Sequence, residues 1–262
     1  MPRRPALLEF EDVVMIRGGH RVLDGLSFRI AQGENVAILG PNGSGKSSLL
    51  KLLTRELYPV ANERPCRMRI LGRESWDLFS LRAHLGIVSN DLQADFAREC
   101  SGWEAVVSGF FSSVGLWANH RVTKEMERKA WTVLERLEVP HLADRLMTAM
   151  SAGEARRTLI GRALIHDPDA LVLDEPTTSL DLRAARDFRA TIRKLVRGGT
   201  SLVLVTHALE EVIPEVTRVI LLREGRVFRD GPKKSVLTAA HLSELYRMRV
   251  RLHVEGGIYH VR

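Results

Sequence analysis

The sequence predicts an α/β domain with a mostly parallel sheet core, an antiparallel β subdomain and an inserted α-helical lobe, and three observations carry this. Short apolar runs, Asn35-Val36-Ala37-Ile38-Leu39, Leu85-Gly86-Ile87-Val88, Ala170-Leu171-Val172-Leu173 and Leu202-Val203-Leu204-Val205, alternate with helical patterns. Strands buried on both faces of a parallel sheet read this way. Residues 7 to 16 and 26 to 30, on either side of a Gly18-Gly19 turn, alternate apolar with polar side chains instead, as half-exposed antiparallel strands do. Finally, Gly40-Pro41-Asn42-Gly43-Ser44-Gly45-Lys46-Ser47 fills every position of the phosphate-cradling pattern G-x-x-x-x-G-K-[ST] between a buried strand and a leucine-rich helix. The fold class is that of a P-loop nucleoside triphosphatase.

The loop's chemistry follows from its residue types. Three glycines let the backbone wrap with its N–H groups inward as an anion nest, and the following helix start adds unpaired donors and the positive end of its dipole. Lys46 supplies a point charge for the β- and γ-phosphates, and Ser47 a hydroxyl to ligate Mg2+. Ser48 completes the set expected to contact nucleotide, and Leu49, Leu50, Leu52, Leu53 and Leu57 recur at helical spacing behind it.

Further along, Arg67-Met68-Arg69-Ile70 reads as a strand closed by Gly72, followed by a turn into the strand at 85 to 88. Residues 91 to 150 read as the helical lobe, with a helix from Thr123 whose Met126, Ala130, Val133, Leu134 and Leu137 share a face and which Pro140 ends. Residues 1 to 90 and 151 to 262 then form the catalytic core of one domain. A helix from Ser151 runs through Leu159, Ile160 and Leu164 to Asp167-Pro168. Another carries Arg186, Arg189, Arg193 and Arg197 opposite Phe188, Ile192 and Leu195 and stops at Gly198-Gly199. The remainder reads as a strand at 219 to 222 turning at Glu224-Gly225, a helix over 235 to 246, and a hairpin about Gly256-Gly257.

Ligands of parallel sheets gather at the carboxyl ends of strands, where Gly40, Asn90, Asp174, Glu175 and His207 all fall. Asp174 suits a carboxylate holding Mg2+, Glu175 a base polarising the attacking water, and His207 a hydrogen-bond partner of the γ-phosphate. A strand ending at a polar turn is the plainer reading of the two acids, and the phosphate loop weighs against it.

With 262 residues the chain fits one large domain, and its net charge of +7 raises nucleic acid or an anionic membrane as partners. The arginines are spread along the chain, so two readings of the Arg-faced helix stand, a solvated face or a surface for lipid headgroups or nucleic acid. Met1 to Pro5 lack a leader pattern, no stretch approaches eighteen apolar residues, and Cys66 and Cys100 read as reduced thiols. A soluble, unexported protein is expected. Trp103, Phe110, Phe111 and Trp117 crowd the start of the lobe, as either a small core or a docking patch.

Met150-Ser151-Ala152-Gly153-Glu154 completes a pattern that resembles the ATP-binding cassette family, the nucleotide-binding subunits of ABC transporters. The resemblance covers essentially the whole chain: the loop at 40 to 47, Leu171-Val172-Leu173-Asp174-Glu175-Pro176-Thr177, the D-loop Ser179-Leu180-Asp181, and His207. It implies ATP and Mg2+ as cofactors and hydrolysis carried by Lys46, Glu175 and His207. Ser47, Asp174 and Asn90 would hold the metal, and Asp181 would lie near nucleotide. Ser151 and Gly153 would touch ATP held by a second cassette. It also implies separate membrane permease subunits, a possible substrate-binding protein, no specific nucleic acid, and a place in the cytoplasm on the inner face of the cell membrane. A soluble cassette acting on DNA or ribosomes is the alternative.

The chain departs from the family pattern at Met150, Ala152 and Glu154, where the family has Leu, Gly and Gln. Ser151-x-x-Glu154 is also a capping box, so a structural role for Ser151 stands beside the functional one. Arg17 occupies the position of an aromatic ring that stacks on adenine, a role a guanidinium plane also fills. Asn90 stands where a coupling Gln is expected, with Gln93 the alternative.

Overall fold

The computed structural model describes residues 5–60, 66–96 and 99–261; residues 1–4, on which the leader reading partly rests, lie outside them. The chain opens with strands β1 (Ala6–Arg17), β2 (His20–Ala31) and β3 (Val36–Leu39), helix α1 (Lys46–Leu53) and strand β4 (Arg67–Ile70). Helix α2 (Leu78–His84), strand β5 (Leu85–Val88), and helices α3 (Asn90–Asp95), α4 (Gly102–Val107), α5 (Lys124–Arg136) and α6 (Ala152–Leu164) follow. Strand β6 (Ala170–Asp174), helix α7 (Leu182–Arg197), and strands β7 (Leu202–Thr206), β8 (Arg218–Arg223) and β9 (Arg226–Pro232) come next. Two short helices, α8 (Lys233–Val236) and α9 (Ala239–Tyr246), lead to a hairpin of β10 (Leu252–Glu255) and β11 (Ile258–Val261). These group into two compact units, one from the chain up to Leu78 and from Ser201 onward, the other Phe79–Thr200.

In the first unit β2-β1-β4 form an antiparallel sheet, with Phe10 stacked on Phe28 across the strand pair at 4.7 Å between centroids. Beside it β3 pairs in parallel with both β7 and β8, and β9 returns antiparallel along β8. All four residues of β3 are buried, as its unbroken apolar run requires. Helix α1 buries Leu49, Leu50, Leu52 and Leu53 but stops at Thr54, because Arg55 takes a left-handed backbone with φ 59°. Leu57, expected on this helix, lies beyond its end. The helix expected over 235 to 246 is two: the chain leaves helical geometry at Leu237, and the Thr238 hydroxyl caps α9 by accepting from His241 N.

The second unit pairs β5 with β6 in parallel. The stretch before β5, expected as a turn, contains α2, and a Cβ on Gly86 of β5 would come within 2.5 Å of Ala163 O, so α6 lies directly on that strand. A Cβ on Gly161 would lie 3.0 Å from the Val106 side chain of α4, 3.4 Å from Val133 of α5 and 3.3 Å from Leu137 just past it. The compact unit is therefore wider than residues 91 to 150, since α6 anchors α4 and α5 to β5. Thr123 caps helix α5, which buries Ala130, Val133 and Leu134 as its periodicity requires. Helix α7 buries Ala185, Phe188, Ile192 and Leu195 and leaves Arg186 and Arg197 exposed. Among the described residues no helix is long and apolar enough to cross a membrane.

Candidate active site

In the first unit the phosphate loop hangs between β3 and α1, tied at both ends. Gly40 N donates to Thr206 O of β7 at 3.3 Å, and Gly225 N donates to Ser44 O at 3.0 Å. Gly40 has no room for a side chain: a Cβ would lie 2.5 Å from Leu222 O and 2.6 Å from Ser44 Oγ. Gly45, at φ 105°, faces Val22 O and the Leu23 side chain as closely, so β2 lies against the loop. Asn42 and Gly43 are exposed at the tip and Pro41 is half-buried.

Lys46 is 5% exposed, and its Nζ donates to Gly40 O at 2.7 Å and Pro41 O at 3.1 Å. The ammonium thus stands inside the loop with its charge directed at the loop's own curve. Ser44 Oγ is buried there and has no hydrogen-bond partner among the described residues. A buried hydroxyl without a partner is costly unless a ligand oxygen completes it, so cation, orphaned hydroxyl and helix start fit a phosphate chain. Ser47 is exposed and Ser48 half-buried in the first turn of α1.

His207 follows Thr206, whose carbonyl takes the Gly40 N–H, so the chain's order alone sets it beside the loop. Its backbone has an anchor that the sequence did not suggest: Tyr246 Oη, at the end of α9, donates to His207 O at 3.2 Å. Burial pushes the Tyr246 phenol up to about 12, so it stays a donor throughout the neutral range. Arg17 is exposed at the tip of the β1–β2 hairpin, paired with His20.

In the second unit Asp174 ends β6 half-buried, and Glu175 next to it holds a left-handed backbone at φ 43°. A non-glycine residue there costs roughly 1–2 kcal/mol, a strain that collects at functional sites. Thr178 N donates to Glu175 O at 3.1 Å and closes the turn.

Ser151 caps α6 as expected and Glu154 completes the box: Ser151 Oγ accepts from Glu154 N at 3.3 Å, and Glu154 Oε2 accepts from Ser151 N at 2.8 Å. Ser151 Oγ also donates its proton to Glu154 Oε2 at 2.8 Å, and Arg145 Nη1 donates to Glu154 Oε1 at 3.0 Å. These bonds, led by the Ser151 backbone N–H, hold the Glu154 carboxyl below the usual range. Gly153 packs on α7, where its Cβ would meet Ala184 Cβ at 3.1 Å. Asp181 has a structural duty of its own, capping α7 by accepting from Ala184 N at 2.7 Å.

Asn90 and Gln93 share a partner. Both accept from one residue that sequence reasoning passed over, Arg156 on α6. Its Nη2 donates to Asn90 Oδ1 at 2.5 Å and its Nε to Gln93 Oε1 at 2.7 Å. The oxygen that a metal-ligating role for Asn90 needs therefore already faces a cation. An arginine on the inward side of α6's periodic pattern was the available signal, since buried arginines are rare unless tied.

Ser47 in the first unit and Asp174 in the second each carry a hard oxygen, the donor type that fits Mg2+. A cluster of three or more His, Cys, Asp or Glu is absent among the described residues, and that chemistry does not call for one. The lobe aromatics do not form a closed core. Phe111 stacks on His120 at 4.1 Å and Phe110 meets His166 edge-on at 5.3 Å, while Trp117 is 57% exposed.

A family model described as ABC transporter matches residues 23–178. The chain is 35% identical over 245 residues to the uncharacterized ABC transporter ATP-binding protein YlmA of Bacillus subtilis (strain 168), covering 92% of this chain and 90% of that one. It is 30% identical over 264 residues to the hemin import ATP-binding protein HmuV of Bradyrhizobium diazoefficiens, covering 98% and 94%. Among solved structures, the ADP conformation of MJ1267, an ATP-binding cassette of an ABC transporter, superposes with a TM-score of 0.77 at 25% identity, covering 92% of this chain and 98% of that one. The structure of cbiO1 from Clostridium perfringens, part of the ABC transporter complex cbiONQ, gives 0.76 at 25%, covering 92% and 94%.

Proposed function

The chain belongs to the ABC transporter family as an ATP-binding, ATP-hydrolysing subunit, and from that premise we propose that it holds Mg·ATP on the Lys46 loop and cleaves it in a head-to-tail pair of chains. The observation that supports this most is the loop itself, with a buried ammonium and an orphaned Ser44 hydroxyl in a cradle that excludes a Cβ at Gly40.

In this reading Lys46 and the loop residues from Gly40 to Ser48 cradle the triphosphate, and Arg17 stacks on the base. Ser47 and Asp174 would hold the metal, which would neutralise charge on the phosphate oxygens when bound. Glu175 accepts a proton from the attacking water and His207 donates to the γ-phosphate, its backbone steadied by Tyr246. Asn90 and Gln93 serve the site from the end of β5. Ser151 is exposed in the single chain, and with Gly153 it presents the start of α6 to nucleotide on a partner copy. Arg145 offsets the Glu154 carboxylate, which would otherwise repel that phosphate. Asp181 sets the angle of α7 beneath Gly153.

The pair works beneath separate membrane-spanning permease subunits, on the inner face of the membrane, with the half-exposed lobe aromatics and Trp117 as the docking patch. Import is favoured by relatives such as HmuV and the phosphonates import protein PhnC of Shigella dysenteriae, the latter 30% identical over 236 residues. Relatives of equal identity serve different cargoes, which supports selection of cargo by the permease and any substrate-binding protein.

Glu175→Gln tests the shared site. The variant keeps the shape and loses the base, so ATP should bind, persist uncleaved and hold a dimer on size exclusion. An ATP-loaded variant that stays monomeric at every concentration, with and without its permease, would refute the pairing.

A further inference from the structure

We infer that Arg156 is a positioning residue that locks the start of α6 to Asn90 and Gln93, so that the helix carrying Ser151 and Gly153 and the segment following β5 move as one piece. The inference rests on the reading that Asn90 and Gln93 serve the nucleotide site.

Arg156 is 2% exposed and lies two residues past the Ser151–Glu154 capping box. It reaches 66 positions back to Asn90 and 63 back to Gln93 with two N–H groups of one planar fork. Both acceptors lie on α3, whose start the Ser89 hydroxyl caps by accepting from Leu92 N at 3.2 Å. Two parallel bonds to a rigid guanidinium fix direction as well as distance, which a single bond does not. Arg156 and its neighbours along α6, Ala155, Thr158, Leu159 and Ile160, are all buried, which leaves this stretch little freedom to follow α3 by itself. A displacement of the α6 start is therefore delivered to Asn90 and Gln93 rather than absorbed on the way. The arrangement also turns Asn90 Oδ1 toward a cation, which makes Asn90 a relay of position rather than a metal ligand.

The test is amide hydrogen exchange and steady-state hydrolysis on the purified chain with Mg·ATP. Arg156→Lys keeps charge and length but cannot present two donors in a fork, so amides over 89–96 should exchange about 10-fold faster while those of β1 and β2 stay unchanged. For hydrolysis, kcat should fall about 10-fold with KM for ATP within about 2-fold, because the loop that binds phosphate is untouched. Asn90→Ala with Gln93→Ala should give a similar loss of kcat. Combining it with Arg156→Lys should cost no more than either alone, about 10-fold rather than about 100-fold. A multiplicative loss, or Arg156→Lys with wild-type exchange over 89–96, overturns the inference.

If Arg156→Lys fails to fold, the acceptor pair decides through the reciprocal effect: losing both acceptors should speed exchange over 152–158, and unchanged exchange there overturns the coupling. Wild-type kcat in the acceptor variant with exchange altered at both ends would leave the lock standing and sink the reading that Asn90 and Gln93 serve the site.

Discussion

Gly40→Ala isolates crowding from backbone strain, because Gly40 is not in the left-handed region whereas Gly43 and Gly45 are. The added Cβ would sit 2.5 Å from Leu222 O and 2.6 Å from Ser44 Oγ, about 1 Å inside ordinary contact. Leu222 belongs to β8, where neighbouring Leu221 pairs with Leu39, so that carbonyl cannot retreat without opening the sheet. The loop must move instead, and with it the Gly40 carbonyl that Lys46 Nζ grips at 2.7 Å. Overpacking of this kind costs roughly 1–3 kcal/mol, which in a chain of this size lowers Tm by about 2–10 °C. Displacing the ammonium from the phosphates should weaken ATP at least about 10-fold, on the order of 1.4 kcal/mol. Thermal unfolding and titration calorimetry read both. Gly43→Ala is the companion, with nothing within 4 Å of its Cβ but φ 79°, so its cost is backbone strain alone, roughly 1–2 kcal/mol. A Gly40→Ala chain with wild-type Tm and wild-type ATP affinity would show that the cradle is not as tight as these distances make it.

Lys46→Ala should abolish tight ATP binding and, since Nζ also serves two loop carbonyls, should lower Tm by a few degrees; wild-type affinity by calorimetry would contradict it. Tyr246→Phe removes one hydrogen bond, roughly 0.5–1.5 kcal/mol, and should lower kcat more than it raises KM, which steady-state kinetics would reveal. Glu154, whose carboxyl is depressed by the Ser151 N–H, contributes stability that is present above the unfolded-state value and is lost as pH falls through the depressed one. The melting temperature should therefore decline below about pH 4. Glu154→Gln keeps the capping box and should flatten that part of the profile, an outcome that a pH series of thermal melts checks.

What the sequence determined by itself was whatever a few adjacent residues decide. Eight consecutive positions spell the phosphate loop, and Ser151 with Glu154 spell the cap of α6, because an i to i+3 hydrogen bond needs only the right types at the right spacing. Unbroken apolar runs placed β3, β5, β6 and β7, and single strand ends placed Asp174 and His207. Tertiary structure alone decided the contacts that join distant positions. Arg156 with Asn90 and Gln93, and Tyr246 with the His207 carbonyl, are chosen by which helix lies on which strand. Helix α2 is seven residues long and buries Leu81 alone, too short a stretch for a periodic apolar face, and the left-handed backbone at Glu175 is a conformation its side chain disfavours, so neither was legible. Even Lys46 shows the division: its presence was plain from the motif, while its burial against the Gly40 and Pro41 carbonyls follows from the loop's curvature. That curvature is imposed by β2, β7 and β8, whose backbones leave the glycines no other path.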